Sequence, residues 1–156
     1  MLGSFAVGKT SLVKRFIKSI FSEEYLTTVG VKVDKKVVSV GEEDMSLLLW
    51  DLHGEDEFQK LRLSYLRGMS AYMLVVDSTR RLTLDHAILL QQNTEKTFGK
   101  LPFVLVLNKT DLSLDWDIER GAIESLEDEG WKIIRTSAKT GEGVEETFRY
   151  LAAQLL

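Results

Sequence analysis

The segment Gly3-Ser4-Phe5-Ala6-Val7-Gly8-Lys9-Thr10 constrains this chain more than any other. It fits the spacing G-x-x-x-x-G-K-[ST], and Ser11 opens an amphipathic stretch directly afterwards, so the pattern stands where a loop hands over to a helix. The backbone N–H groups of such a loop point inward and, with the positive end of the following helix dipole, hold phosphate oxygens. In that arrangement Lys9 reaches the β- and γ-phosphates of a nucleotide, and the Thr10 hydroxyl ligates Mg²⁺. A full strand is expected ahead of the loop. Only Met1 and Leu2 stand there, so the first strand is read as truncated. The motif alone leaves the base open, and with it the choice between kinase, ATPase and switch.

The rest of the chain supplies the layers around that loop. Met45–Trp50, Ala71–Val76, Phe103–Leu107 and Lys132–Arg135 are largely apolar runs of strand length without strict alternation, as in strands covered on both faces. Between them lie helical stripes: Leu12, Phe16 and Ile20 within Ser11–Ile20; Leu84, Ile88 and Leu89 within Thr83–Phe98; Val144, Phe148, Leu151 and Leu155 within Val144–Leu155. Asp115–Glu129 is a weaker helix because Gly121 interrupts it. Val31–Val40, a turn at Gly41-Glu42-Glu43-Asp44, and Met45–Trp50 predict an antiparallel hairpin. The expected fold is a single α/β domain over residues 1–156, with three layers and a mixed, mainly parallel sheet.

Composition narrows the function. A net charge of −4 and a pI near 5.3 give no global basic field, so nucleic acid is not an expected partner, and any anion must be bound locally. The absence of cysteine removes thiolate metal ligands, thiol nucleophiles and the acceptor for a prenyl or palmitoyl anchor. No apolar run approaches the roughly 18 residues of a membrane span, and the start lacks a signal-peptide layout. The expectation is a cytoplasmic monomer without a lipid anchor, recruited to membranes, where that happens, through partners.

The base is read further on. Asn108-Lys109-Thr110-Asp111 follows the strand Phe103–Leu107, at the end where loops of a parallel sheet gather around a ligand. An ionised Asp111 accepts from both N1–H and the exocyclic amine of guanine; adenine offers no such donor pair. The Lys109 stem can lie along the base, and the Asn108 amide can tie this loop to the phosphate loop. After Lys132–Arg135 come Ser137-Ala138-Lys139, where the Ala138 N–H suits guanine O6 and Ser137 can hold Asp111.

Taken together, these loops resemble those of the Ras superfamily of small GTPases, closest to its Rab branch, over nearly the whole chain. Tyr25-Leu26-Thr27-Thr28-Val29-Gly30-Val31 resembles the first switch, and Trp50-Asp51-Leu52-His53-Gly54-Glu55-Asp56-Glu57-Phe58 the second; Asp77-Ser78-Thr79 and Thr136–Gly141 match Rab-like usage. The resemblance implies a P-loop NTPase fold that binds GTP or GDP with Mg²⁺. Thr10, Thr28 and Asp51 would form the metal site, the last through water. Thr28 and the Gly54 N–H would sense the γ-phosphate, and Phe21 would set its edge against the base. It also implies effectors and regulators that dock around residues 21–33 and 51–67.

Catalysis is where the chain departs from the family. Phe5 stands where the family usually has glycine, Glu55 replaces the glutamine that orients water, and His53 replaces a common alanine. The catalytic set that the resemblance implies is Lys9, Thr28, Gly54 and Glu55. Nucleotide binding does not need the altered positions to be typical, whereas hydrolysis depends on water orientation and on room for an arginine finger. Two readings follow: a switch with slow turnover, or a pseudo-GTPase that stays loaded and recruits constitutively. A P-loop kinase or ATPase is a more distant third.

Overall fold

The computed structural model describes residues 1–23, 30–52 and 65–156. In chain order the elements are α1 (Lys9–Lys18), β1 (Val31–Val40), β2 (Glu43–Leu52), β3 (Tyr72–Asp77), α2 (Arg81–Phe98), β4 (Phe103–Asn108), α3 (Arg120–Asp128), β5 (Ile133–Arg135) and α4 (Val144–Ala153). A 3₁₀ segment, Thr110–Asp115, follows β4.

Strands β3, β4 and β5 pair in parallel in that order, with α2 and α3 as the intervening crossovers. Parallel neighbours require such crossovers, which leave both faces of the sheet covered. Alternate residues therefore feed two cores. Leu74, Val76, Leu105 and Leu107 pack with Leu84, Ala87 and Leu90 of α2 and with Ile123 and Leu126 of α3. Val75, Val104 and Val106 face the other way, onto Leu12 and Phe16 of α1 and Phe148 and Leu151 of α4. The Phe16 and Phe148 rings stack with centroids 3.9 Å apart, locking α1 to α4. Burying a side chain of that size contributes roughly 3 kcal/mol. Both cores sit directly beneath the loops that leave the carboxyl ends of the strands.

The hairpin β1–β2 is antiparallel, from Val31 opposite Leu52 to Val40 opposite Glu43. Its turn is tighter than the sequence suggests: β2 already begins at Glu43, because Gly41 adopts φ 64° and lets two residues reverse the chain. The hairpin and the three-stranded sheet are joined by the first two residues. The Met1 amino group donates to the Trp50 carbonyl at 2.9 Å, the Leu2 N–H donates to Met73 at 2.8 Å, and Leu2 accepts from Val75 at 2.8 Å. Leu2 forms a parallel bridge with Leu74 of β3, so the short first strand anticipated from sequence is a single bridge on the three-stranded sheet, with the Met1 amino group reaching the hairpin. Behind it, a cavity of about 630 Å³ opens between β2, β3 and α4, lined by residues including Leu47, Leu49, Met73 and Leu151.

Three helical stripes differ from expectation at their edges. α1 stops at Lys18, with Ser19 in the left-handed region, so Ile20 is exposed. On α2 the buried stripe runs Leu84, Ala87, Leu90, Gln91 and Thr94, leaving Leu89 in solvent. α4 ends at Ala153 and Leu155 lies outside its buried face. Among the described residues, no helix is long and apolar enough to cross a membrane.

Candidate functional site

The loop from Gly3 to Gly8 lies between Leu2 and α1, and its two glycines are dictated by what surrounds them. A Cβ at Gly3 would lie 2.4 Å from the Val75 carbonyl oxygen, and one at Gly8 would lie 2.3 Å from Asn108 Nδ2. Both also have positive φ, 149° and 101°. α1 then begins without a side-chain cap, so its first turn, Lys9, Thr10 and Ser11, presents backbone N–H groups toward the loop mouth. Lys9 folds back over the loop and donates to the carbonyls of Gly3 at 2.9 Å and Ser4 at 2.8 Å. The Ser4 hydroxyl lies 3.1 Å from His86 Nδ1 on α2. Phe5, by contrast, holds its ring out of the core at 44% exposure.

The Asn108–Asp111 segment, at the carboxyl end of β4, is fastened to that loop. Asn108 Nδ2 donates to the Val7 carbonyl at 3.0 Å while its Oδ1 accepts from Thr136 Oγ1 at 3.0 Å. Lys109, in the left-handed region at φ 67°, sends Nζ to the Ala6 carbonyl at 3.0 Å. Ser137 Oγ donates to Asp111 Oδ1 at 2.7 Å, and Thr110 bonds the Thr136 carbonyl through both its N–H and its hydroxyl. Arg15 of α1 closes the ring by donating to the carbonyls of Ala138, at 2.7 Å, and Lys139. Lys139 itself pairs with Glu23 at 3.1 Å. Three segments far apart in sequence thus form one rim over the strand ends.

The metal ligands anticipated at Thr10 and Asp51 also meet. Thr10 Oγ1 donates to Asp51 Oδ2 at 2.5 Å, and Asp51 is 1% exposed. Its second oxygen, Oδ1, is buried without a hydrogen-bond partner among the described residues. A buried, unpartnered carboxylate oxygen is costly unless something polar completes it. A hard divalent cation with oxygen ligands fits that donor set. Thr28, His53, Gly54 and Glu55 lie outside the described residues. Phe21 is described and lies at 37% exposure beyond the end of α1, so it is not a core residue.

The family model for the Ras family matches residues 1–156. The chain belongs to the Ras family. Among curated Ras-related proteins it is 36% identical over 159 residues to Rab-17 of Mus musculus, covering all of this chain and 74% of that protein. It is 32% identical over 166 residues to Rab-7L1 of Rattus norvegicus, covering all of this chain and 80% of the relative. With Rab-4 of Dictyostelium discoideum the identity is 33% over 150 residues, 95% of this chain and 73% of the relative. This Ras-family chain is therefore Rab-like and, in general terms, a small GTP-binding protein of the switch type.

Sequence reading missed several residues of this Ras-family site. Arg15 carries no motif, and nothing in its spacing marks the Ala138 carbonyl it bonds 123 residues away; Thr136 is marked only as part of Thr136–Gly141, without its bond to Asn108. Arg80, likewise unmarked in sequence, reaches the rim through the Phe5 carbonyl, and Asp77, marked only as part of Asp77-Ser78-Thr79, pairs with Lys109.

Proposed function

We propose that the chain is a GTP/GDP switch with slow turnover. Guanine is read by Asp111, held by Ser137, with the Ala138 N–H toward O6, the Lys109 stem along the base and Phe21 at its edge. The phosphates lie over Gly3–Gly8 and the first turn of α1, with Lys9 on the β- and γ-phosphates. Mg²⁺ would be held by Thr10, Thr28 and, through water, Asp51, supplying charge neutralisation on the phosphates. The observation that carries this reading is the direct tie between the base-reading and phosphate loops, Asn108 to Val7 at 3.0 Å, which fixes the span between base and phosphates. Loss of the γ-phosphate would release Thr28 and Gly54 and with them the partner surface around residues 21–33 and 51–67.

That surface has an apolar companion on the hairpin. Val33 stands opposite Trp50 in the register, Leu48 lies on the same exposed face, and the Tyr65 ring lies 6.1 Å from that of Trp50. Exposed aromatic anchors grouped this way suit a protein partner.

Phe5 favours a second reading, a pseudo-GTPase that recruits constitutively: its ring stands out from the phosphate loop where a partner's arginine would enter. Analysis of the co-purifying nucleotide, together with single-turnover phosphate release, tests both. GDP with slow but measurable release supports the switch; GTP retained with no release supports the recruiter. Displacement of guanine nucleotide by excess ATP rejects both.

A further inference from the structure

Asp77 ends β3 at 2% exposure, and its carboxylate faces two cations. Lys109 Nζ donates to its Oδ2 at 2.7 Å and Arg80 Nε donates to the same oxygen at 3.0 Å. Oδ1 is occupied by the Thr79 N–H at 2.9 Å and hydroxyl at 2.7 Å. Burial works against the charge on Asp77, but these hydrogen bonds and the Lys109 ammonium outweigh it and hold the carboxyl below the usual carboxylate range.

Each cation has a second grip. Arg80 Nη2 donates to the Phe5 carbonyl at 2.7 Å, and Lys109 Nζ to the Ala6 carbonyl at 3.0 Å. Those carbonyls are consecutive. Across a trans peptide the N–H points opposite to the C=O, so pulling these two oxygens outward turns the Ala6 and Val7 N–H groups inward. Ala6 carries φ 59°, an uncommon setting for a residue with a Cβ, and the two outward pulls are what the surroundings supply to hold it there. Arg80 is also misplaced for helix stability: it is the N-cap of α2, makes no capping bond, and puts a cation at the positive end of the dipole. Its position is accounted for by the loop it touches.

We propose that Asp77 is a positioning residue for nucleotide retention, anchoring Arg80 and Lys109 as two straps that keep the Ala6 and Val7 N–H groups aimed at the phosphates. This rests on the nucleotide-binding reading above. A mixed anion environment is not needed: one buried carboxylate serves both straps, and each strap ends on main chain, so the loop sequence can vary beneath it.

The experiment measures release of a fluorescent GDP analogue from the Mg²⁺-loaded protein. Arg80→Ala should speed release about 5- to 20-fold, the range for one charge-assisted bond on a half-exposed side chain. Arg80→Lys should fall between parent and alanine, because an ammonium can pair with Asp77 but lacks the fork that spans to Phe5. Asp77→Asn should release at least as fast as Arg80→Ala, and adding Arg80→Ala to it should change little, since the strap has already lost its anchor. The melting temperature of the nucleotide-free protein should be nearly the same for parent and Arg80→Ala. If Asp77→Asn does not fold, the Arg80 pair decides. Release at the parent rate in Arg80→Ala, a lysine variant no better than alanine, or fully additive effects overturns the straps alone. A parent that retains no guanine nucleotide overturns the nucleotide reading and the straps with it.

Discussion

Ser137 holds Asp111 by a 2.7 Å hydrogen bond to Oδ1, orienting a carboxylate that belongs to a different loop. Asp111→Asn exchanges a double acceptor for one acceptor and one donor. With Asp111 reading the base as proposed, guanine should then lose a bond and xanthine, with a carbonyl at position 2, should gain one. The expected outcome is a shift of preference toward xanthosine nucleotides, by about 10-fold or more, in competition binding. Unchanged discrimination between GTP and XTP would remove Asp111 from the base site.

Thr10 and Thr28 should separate in their effects. The Thr10 hydroxyl sits 2.5 Å from Asp51, so its loss should disturb the proposed metal site whichever nucleotide is present. In the proposed switch, Thr28 would act only with the γ-phosphate. Thr10→Ala is expected to weaken GDP and a GTP analogue alike, and excess Mg²⁺ to restore part of the loss; Thr28→Ala is expected to spare GDP. Calorimetric titration of both nucleotides checks this, and equal losses at Thr28 count against its role as sensor.

Turnover should respond to restoring the family's residues. Phe5→Gly clears the outer side of the phosphate loop, and Glu55→Gln replaces a charge with an amide that can position water. An arginine supplied in trans is worth about 10³ to 10⁵ in kcat, so the double replacement should gain far more from a compatible activator than the parent. Single-turnover hydrolysis with and without activator measures it. A parent stimulated as strongly as the double replacement would falsify the idea that these positions limit catalysis.

Alkaline pH should find a weak point at Tyr72. Burial, with Glu95 nearby adding to it and a hydrogen bond with Gln91 opposing, pushes its hydroxyl up to about 12. Because the folded value is raised, its stabilising contribution is complete below the unfolded value of about 10 and is lost as pH climbs toward the folded one. Between pH 9 and 11 the parent should lose about 1 kcal/mol more stability than Tyr72→Phe in urea unfolding. Parallel losses in the two proteins would show that Tyr72 does not carry the dependence.

Much of this was legible because the informative residues act locally. The phosphate loop, Asn108–Asp111 and Ser137–Lys139 are short runs whose backbone geometry and chemistry are set by their own spacing. The parallel strands stood out because burial on both faces leaves continuous apolar runs. Arg15 and Arg80 were not legible, because each bonds to backbone carbonyls of a distant loop, and a carbonyl carries no sequence signal. Helix ends were lost for a related reason: Ser19 ends α1 through a left-handed residue that composition does not announce. The turn at Gly41 was read as longer than it is, since Glu43 and Asp44 look like turn residues but lie on the exposed end of β2.

The narrow join at Met1 and Leu2 has a consequence for amide exchange. Among the described residues it is the backbone link between the hairpin and the three-stranded sheet. The side-chain ties of the hairpin to the body include Lys36 to the Phe16 carbonyl and to Glu145, Arg149 to the Ser39 carbonyl, Thr10 to Asp51, and the burial of Val38 and Leu52. Local opening should therefore free β1 and β2 at a lower cost than β4, whose amides are paired on both sides and should exchange only on global unfolding. Because one of those ties is the Thr10–Asp51 contact, whatever binds there lowers the hairpin's exchange rate too. The strand that carries Trp50 should then be held to the body of the protein in proportion to how fully the phosphate end is loaded.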